Sequence, residues 1–254
     1  MVPVAEEPAI DALGQFKLYT VLGPIGHAVN FTQANLFMLI GSSIVLALLY
    51  FGMRPKAVVP GRLQALAEVS YKFVYDMCID QIGHEGKRFF PFVFTLFFFV
   101  LWGNLLGLLP YSFTYTSHIA VTFALAALVI VLVTGVAIFT HGTTFFTEYF
   151  FPKGAPVLLA PLIIPVEIIS YLSRPVSLSI RLFANMVAGH VMFEVFATFV
   201  VMLAGAGLLG TVAAVGPLAL NVVLMGFELL VAALQAYVFA ILTCIYLHDA
   251  VHLH

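Results

Sequence analysis

Charge is scarce in this chain. Only 9% of its 254 residues are Asp, Glu, Lys or Arg, against about 25% in an ordinary soluble domain. Apolar residues make up 63%, and the mean hydropathy is +1.11. Those values exclude a soluble globular domain and imply a polytopic membrane protein. Cysteine is nearly absent as well: Cys78 and Cys244 have no metal-binding or redox spacing, and sequence alone defines no disulfide between them. A net charge of -2 without any basic run excludes a nucleic-acid partner. Phosphate-binding and hydrolytic motifs are missing too. The GHEGK run at 83–87 lacks the Walker spacing and its Ser/Thr, and there is neither an HExxH helix nor a GxSxG turn. The opening MVPVAEEPAIDALG is acidic and has no basic region leading into an apolar core, so it does not read as a signal peptide. By itself the chain is expected to hydrolyse nothing and to hold neither a metal nor another cofactor.

Long apolar runs dominate what is there. A membrane helix needs about 20 such residues. The first three spans are expected at Leu36 to Phe51, Phe89 to Leu109 and Ile119 to Phe139. Two further stretches, 157–203 and 217–247, are longer. As continuous helices they would measure roughly 70 and 46 Å, too long to stand upright in a hydrocarbon layer of about 30 Å. They must be strongly tilted or broken, with Gly205 to Gly216 as the turn between them. The fold class is therefore all-α, with five membrane helices in a single membrane domain over 1–254 and an outer segment at 1–32.

A different pattern occupies 61–85. Leu63, Leu66, Ser70, Phe73 and Met77 share one helical face, while Glu68, Lys72, Asp76 and Asp80 form an i,i+4 row on another. This is an amphipathic helix suited to the membrane surface, and packing on protein is compatible with the same pattern. Orientation follows from the basic residues. Arg54, Lys56, Arg62, Lys72, Lys87 and Arg88 lie between the first and second spans and Lys153 between the third and fourth, against Lys17 alone before the first. The positive-inside rule then places the N-terminus outside and the C-terminus in the cytoplasm.

Against this background the charges inside the apolar runs stand out, Arg181 above all. A guanidinium stays protonated at any physiological pH, and one at mid-membrane costs roughly 3 kcal/mol on insertion scales. Steps of seven residues keep nearly the same helix face. Glu167, Arg174 and Arg181 follow such a stripe with Asn185 close by, and Asn221, Glu228 and Gln235 form another in the last run. His190 and Glu194 add an i,i+4 pair. Taken singly, these residues have plainer uses. Glu167 and Arg174 can neutralise each other, and Asn221 and Gln235 can act as interhelical hydrogen-bond glue. Carboxylates, a histidine and a permanent cation in one helix pair instead suggest a proton path with a fixed electrostatic barrier. His118 and His141, at the two ends of the third span, have no matching partners for a haem. His248, His252 and His254 read as exposed chain end.

At these residues the sequence resembles the a subunit of F-type ATP synthases. RLFANMVAGH (181–190), preceded by LSRPVSLSI, carries the likeness, with LWGNLLGLLP (101–110) and LQAYVFAILTCIYL (234–247). The resemblance implies a stator subunit whose last two helices lie tilted as a hairpin against a ring of c subunits, with b or b′ stalk subunits as further partners. It implies that Arg181 faces the ring carboxylate, and that Asn185 and Gln235 neighbour it. Glu167 and Ser170 would line the cytoplasmic half-channel, with Arg174 and Asn221 in support. His190 and Glu228 would line the outer one, in the arrangement of mitochondrial and alphaproteobacterial members; some bacterial members hold the two residue types exchanged, which fits spatial contact. Glu194 stands where many mitochondrial relatives have His. Such a subunit works in a bacterial inner membrane, carries H⁺ in preference to Na⁺ for want of an evident Na⁺-ligand set, and leaves nucleotide chemistry to other subunits. A secondary transporter or ion channel using the same polar helices is the rival reading, although the two halves show no internal symmetry. A scaffold without transport is a second, and it leaves a lone Arg among Glu and His unexplained.

Overall fold

The computed structural model describes residues 20–22, 31–53, 60–109, 113–142 and 159–252. Six long helices make up almost all of it: α1 (Gln33–Met53), α2 (Arg62–Ile82), α3 (Gly86–Gly107), α4 (Ile119–His141), α5 (Ala160–Ala204) and α6 (Leu208–Val251). A small antiparallel pairing of β1 (Thr20–Leu22) with β2 (Phe31–Thr32) precedes α1. Five of the helices are long and apolar enough to cross a membrane, and α2 is not among them. The all-α polytopic expectation therefore holds. Arg54, Lys56, Lys153, Lys17 and His254, used or noted above, lie outside the described residues.

The core gathers where α2, α3, α4 and the second half of α6 meet. Val74, Cys78, Val93, Val100, Val129, Phe239, Cys244 and Leu247 are buried there and interdigitate. On α2 the buried residues are Gln64, Ala67, Val74, Met77, Cys78 and Ile82. The sequence pattern put Leu63, Leu66 and Phe73 on one apolar face, and all three are exposed. The helix is apolar on two sides. Ala67, Val74, Met77, Cys78 and Ile82 take the protein contact, and Leu63, Leu66 and Phe73 face outward, as does the charged row of Glu68, Lys72, Asp76 and Asp80.

α5 and α6 are 45 and 44 residues long, roughly 68 and 66 Å at 1.5 Å per residue. Of the two options open to such long runs, unbroken helix is realised, despite Pro165, Pro175 and Pro217 inside them. The turn between them is also much tighter than the expected Gly205 to Gly216. It occupies only Gly205 to Gly207, and Gly207 supplies the left-handed backbone (φ 91°) that reverses the chain. Apolar 208–216 continues the helix, and Pro217 is carried inside it at the cost of the hydrogen bond its N–H would have made.

Between α3 and α4 the chain does not stay at the surface. A short 3₁₀ turn, Tyr115–Ser117, is buried with Phe113 and Thr114. Tyr115, fully buried, donates from its hydroxyl to the Phe99 carbonyl at 2.7 Å. Thr116 Oγ1 donates to Asn104 Oδ1 at 2.9 Å, and Asn104 Nδ2 in turn donates to the Ala232 carbonyl on α6 at 3.3 Å. The loop is thus pinned to α3 and α6 from its middle.

Cys78 and Cys244 are free thiols, both fully buried, with their sulfurs 3.9 Å apart across the α2–α6 contact. Thiolate chemistry needs access. A water-soluble maleimide is therefore expected to leave both unmodified in folded membranes and to label both after denaturation in SDS. Labelling of the folded protein would show that α2 does not seal against α6.

Candidate functional site

α5 and α6 run antiparallel, and their polar residues meet in register. Arg174 on α5 reaches Asp249 near the end of α6, with Nη1 donating to Oδ2 at 3.4 Å. Its guanidinium also lies 5.0 Å from the Tyr246 ring and 5.8 Å from that of Tyr171. Further along, Asn185 Nδ2 donates to Gln235 Oε1 at 3.0 Å. Beyond that, Glu228 lies against Gly189. A side chain at 189 would put its Cβ 1.9 Å from Glu228 Oε1, so the carboxylate keeps this position only beside glycine and would have to shift for anything larger. Of the two sequence rows, Asn185 beside the first meets Gln235 of the second, and the pairing of Glu167 with Arg174 is not realised: Arg174 takes Asp249. Glu167 is half-buried and makes no hydrogen bond or ion pair among the described residues. Ser170 is exposed, and its carbonyl accepts a 2.7 Å bond from Ser173.

Asp249 escaped the sequence reading because it lies beyond the apolar run that ends at Leu247. The signal was present. Two steps of seven beyond Gln235 lead through Leu242 to Asp249, continuing the α6 row. That row is polar at 221, 228, 235 and 249 and apolar at 242.

Glu228 is buried, and neither carboxylate oxygen has a hydrogen-bond partner among the described residues. It lines a cavity of about 410 Å³ together with Asn185, Gly189, Met192 and Phe227. A void of that size with polar groups in its wall can hold several waters, each needing about 30 Å³. Gln235 Nε2 and Asn221 Oδ1 are likewise buried without a partner. Buried polar groups in this state are costly unless a proton, water or second chain satisfies them. His190 sits next to Gly189 in sequence, but no hydrogen bond joins it to Glu228 or Glu194. Its Nε2 lies 2.9 Å from Thr114 Oγ1 in the buried α3–α4 loop. Thr114, Thr116 and Asn104 were not singled out from sequence, since an isolated hydroxyl or amide in an apolar run carries no spacing signal.

Arg181 differs from all of these. It is exposed, and among the described residues it makes no hydrogen bond or ion pair. Large apolar residues are exposed along both helices, among them Leu172, Val176, Ile180 and Met192 on α5 and Phe227, Leu230 and Leu234 on α6. Only Leu178, Ser179, Leu182 and Met186 of α5 are buried. Much of the α5–α6 pair is thus uncovered and apolar, with the cation of Arg181 exposed on it. The other histidines have local uses. His118 stacks on Phe113, and burial pushes its imidazole below the ordinary range. His141 Nε2 is 3.1 Å from the Val251 carbonyl, and His248 stacks on His252.

Five apolar spans, with polar rows confined to the last two, define a multi-pass membrane protein that handles charge within the bilayer. The family model for the ATP synthase A chain matches residues 35–248. ATP synthase subunit a of Granulibacter bethesdensis is 72% identical over 252 residues, covering 99% of this chain and 100% of the relative. The subunit a proteins of Gluconacetobacter diazotrophicus (64% over 248 residues, 98% and 99% covered) and Rhizobium leguminosarum bv. trifolii (51% over 245 residues, 95% and 97% covered) are also similar. The chain belongs to the ATP synthase A chain family.

The contact between Gly189 and Glu228 makes a stability prediction. Gly189→Ala overpacks the α5–α6 seam, and a loss of about 1–3 kcal/mol is expected, seen as a lower Tm of the detergent-solubilised complex. Adding Glu228→Asp, which shortens the carboxylate arm, recovers part of it. An unchanged Tm for Gly189→Ala would show that α5 and α6 pack more loosely than described.

Proposed function

We propose that the chain passes protons between the two sides of a bacterial inner membrane and a ring of c subunits, through two offset paths separated by Arg181. The carrying observation is that Arg181 is exposed beside apolar residues and makes no ion pair among the described residues. A carboxylate arriving on a second subunit supplies the opposite charge. The face itself fits a helical ring surface, being apolar with small residues (Ala184, Ala188, Gly226, Ala233) exposed between larger ones.

Protons enter from outside along Glu194, His190, Glu228, Asn185 and Gln235. Support comes from the cavity that Asn185 and Glu228 share and from the oxygens of Glu228, which are unpaired among the described residues. A proton delivered to a ring carboxylate neutralises it, so the group can turn into lipid without carrying a charge there. After nearly a full rotation the carboxylate meets the inner path near Glu167 and Ser170 and releases its proton. Arg181 favours the charged carboxylate on arrival, and its positive charge opposes proton passage directly from one path to the other. A potential of 100 mV is worth about 2.3 kcal/mol per charge moved, which drives rotation. Arg174, held by Asp249, and Asn221 support the two paths. The N-terminus lies outside and the C-terminus in the cytoplasm, with b or b′ stalk subunits completing the stator.

Two substitutions test this in vesicles holding the complete complex. Arg181→Ala is expected to abolish proton-driven ATP synthesis while the subunit still assembles; retained synthesis would remove the barrier role. Glu228→Gln keeps size and loses the exchangeable charge. It is expected to slow dye-monitored proton flux by about 10²-fold, in line with the loss of a positioned acid–base group. Wild-type flux in that variant would take Glu228 out of the path.

A further inference from the structure

We propose that Thr114 is a positioning residue for His190, holding the imidazole in place on the outer path through either of its protonation states. This rests on the reading of His190 as part of that path. Thr114 lies in the chain between α3 and α4, yet it is 4% exposed. Its placement is fixed from several directions. Its side chain presses on α3 at Gly107, where an added Cβ would stand 2.1 Å from Oγ1 and 2.6 Å from Cγ2. Its carbonyl accepts a 2.6 Å bond from Ser117 Oγ. On the following residues, Tyr115 is tied to Phe99, and Thr116 to Asn104 and through it to Ala232 of α6. What remains free to act is the hydroxyl, and it lies 2.9 Å from His190 Nε2.

A hydroxyl both donates and accepts. When Nε2 is unprotonated, Thr114 donates to it. When Nε2 carries a proton, Thr114 Oγ1 accepts from it. Neither change requires a heavy atom to move, so the ring keeps its orientation while a proton comes and goes. A second carbonyl or a carboxylate could serve only one of these states. Titratable groups on the same helix pair are Glu194, one turn along α5, and Glu228 of α6 against Gly189. Among the described residues neither hydrogen-bonds the ring, and Thr114 reaches it from the loop.

Packing and hydrogen bonding predict opposite outcomes. Thr114→Val keeps the shape that fills the Gly107 groove and loses the hydroxyl. Thr114→Ser keeps the hydroxyl and loses the methyl group. Vesicles with the complete complex, stripped of the catalytic sector, report passive proton conduction; immunoblotting reports assembly. Loss of one hydrogen bond of about 1.4 kcal/mol corresponds to tenfold in rate. Thr114→Val is therefore expected to conduct about tenfold more slowly at equal assembly, with Thr114→Ser near wild type. Slow Ser with normal Val would overturn the proposal in favour of packing alone. Should the Val variant not assemble, Thr114→Ala removes the hydroxyl without new bulk and is compared with Ser in the same way. His190→Ala separates the two levels. Normal conduction there would overturn the outer path and Thr114 with it. Slow His190→Ala beside normal Thr114→Val would overturn the role of Thr114 alone.

Discussion

A charge that cannot be discharged, set where water is scarce, constrains everything around it. The guanidinium of Arg181 stays protonated, and in a bilayer its cost falls only when an opposite charge or water is near. In this protein the usual remedy is withheld. Arg174, seven residues earlier on the same helix, has Asp249 and two aromatic rings. Among the described residues Arg181 pairs with neither a carboxylate nor an amide. The two arginines thus differ, one paired within the described chain and the other exposed, as the proposed partner on another subunit requires.

The register of α5 against α6 explains how that difference arises. Reading along the pair, Arg174 meets Asp249, Asn185 meets Gln235, and Gly189 meets Glu228. Arg181 falls between the first and second of these contacts. The α6 row has Leu242 at the corresponding step, between Gln235 and Asp249. An acid at 242 would offer a partner from within the chain and blunt the attraction for one arriving from outside. The apolar step keeps the cation available. It also divides the polar groups into two sets, with Asp249 and Arg174 toward one end and Gln235, Asn185 and Glu228 toward the other. A barrier between two proton paths needs that separation.

Much of this was legible in the sequence because it is periodic. The five spans, the amphipathic nature of α2 and the facing stripes all follow from repeats of 3.6 or 7 residues. What could not be read was set by contacts between elements. The stripe of Leu63, Leu66, Ser70, Phe73 and Met77 leaves open whether α2 meets membrane or protein; in the fold Met77 is buried with Ala67, Val74 and Cys78, while Leu63, Leu66 and Phe73 are exposed. The turn expected over Gly205 to Gly216 shrank to three residues, since the last helix starts at Leu208 and carries Pro217 inside it. Thr114 is the clearest case. Nothing local marks a threonine in FTYTSH as buried, and only the packing of a loop between helices brings it to His190. Asp249 was readable but overlooked, being polar and just past an apolar run.

The central claim is that the partner of Arg181 belongs to another subunit. A structure of the assembled complex in a lipid membrane tests it through one distance, from the Arg181 guanidinium to the nearest carboxylate. A c-subunit carboxylate approaching within about 4–6 Å, where an opposite charge acts strongly, is the predicted result, with the uncovered α5–α6 face turned to the ring. Arg181 paired instead with a carboxylate of its own chain, or facing lipid away from the ring, would contradict it.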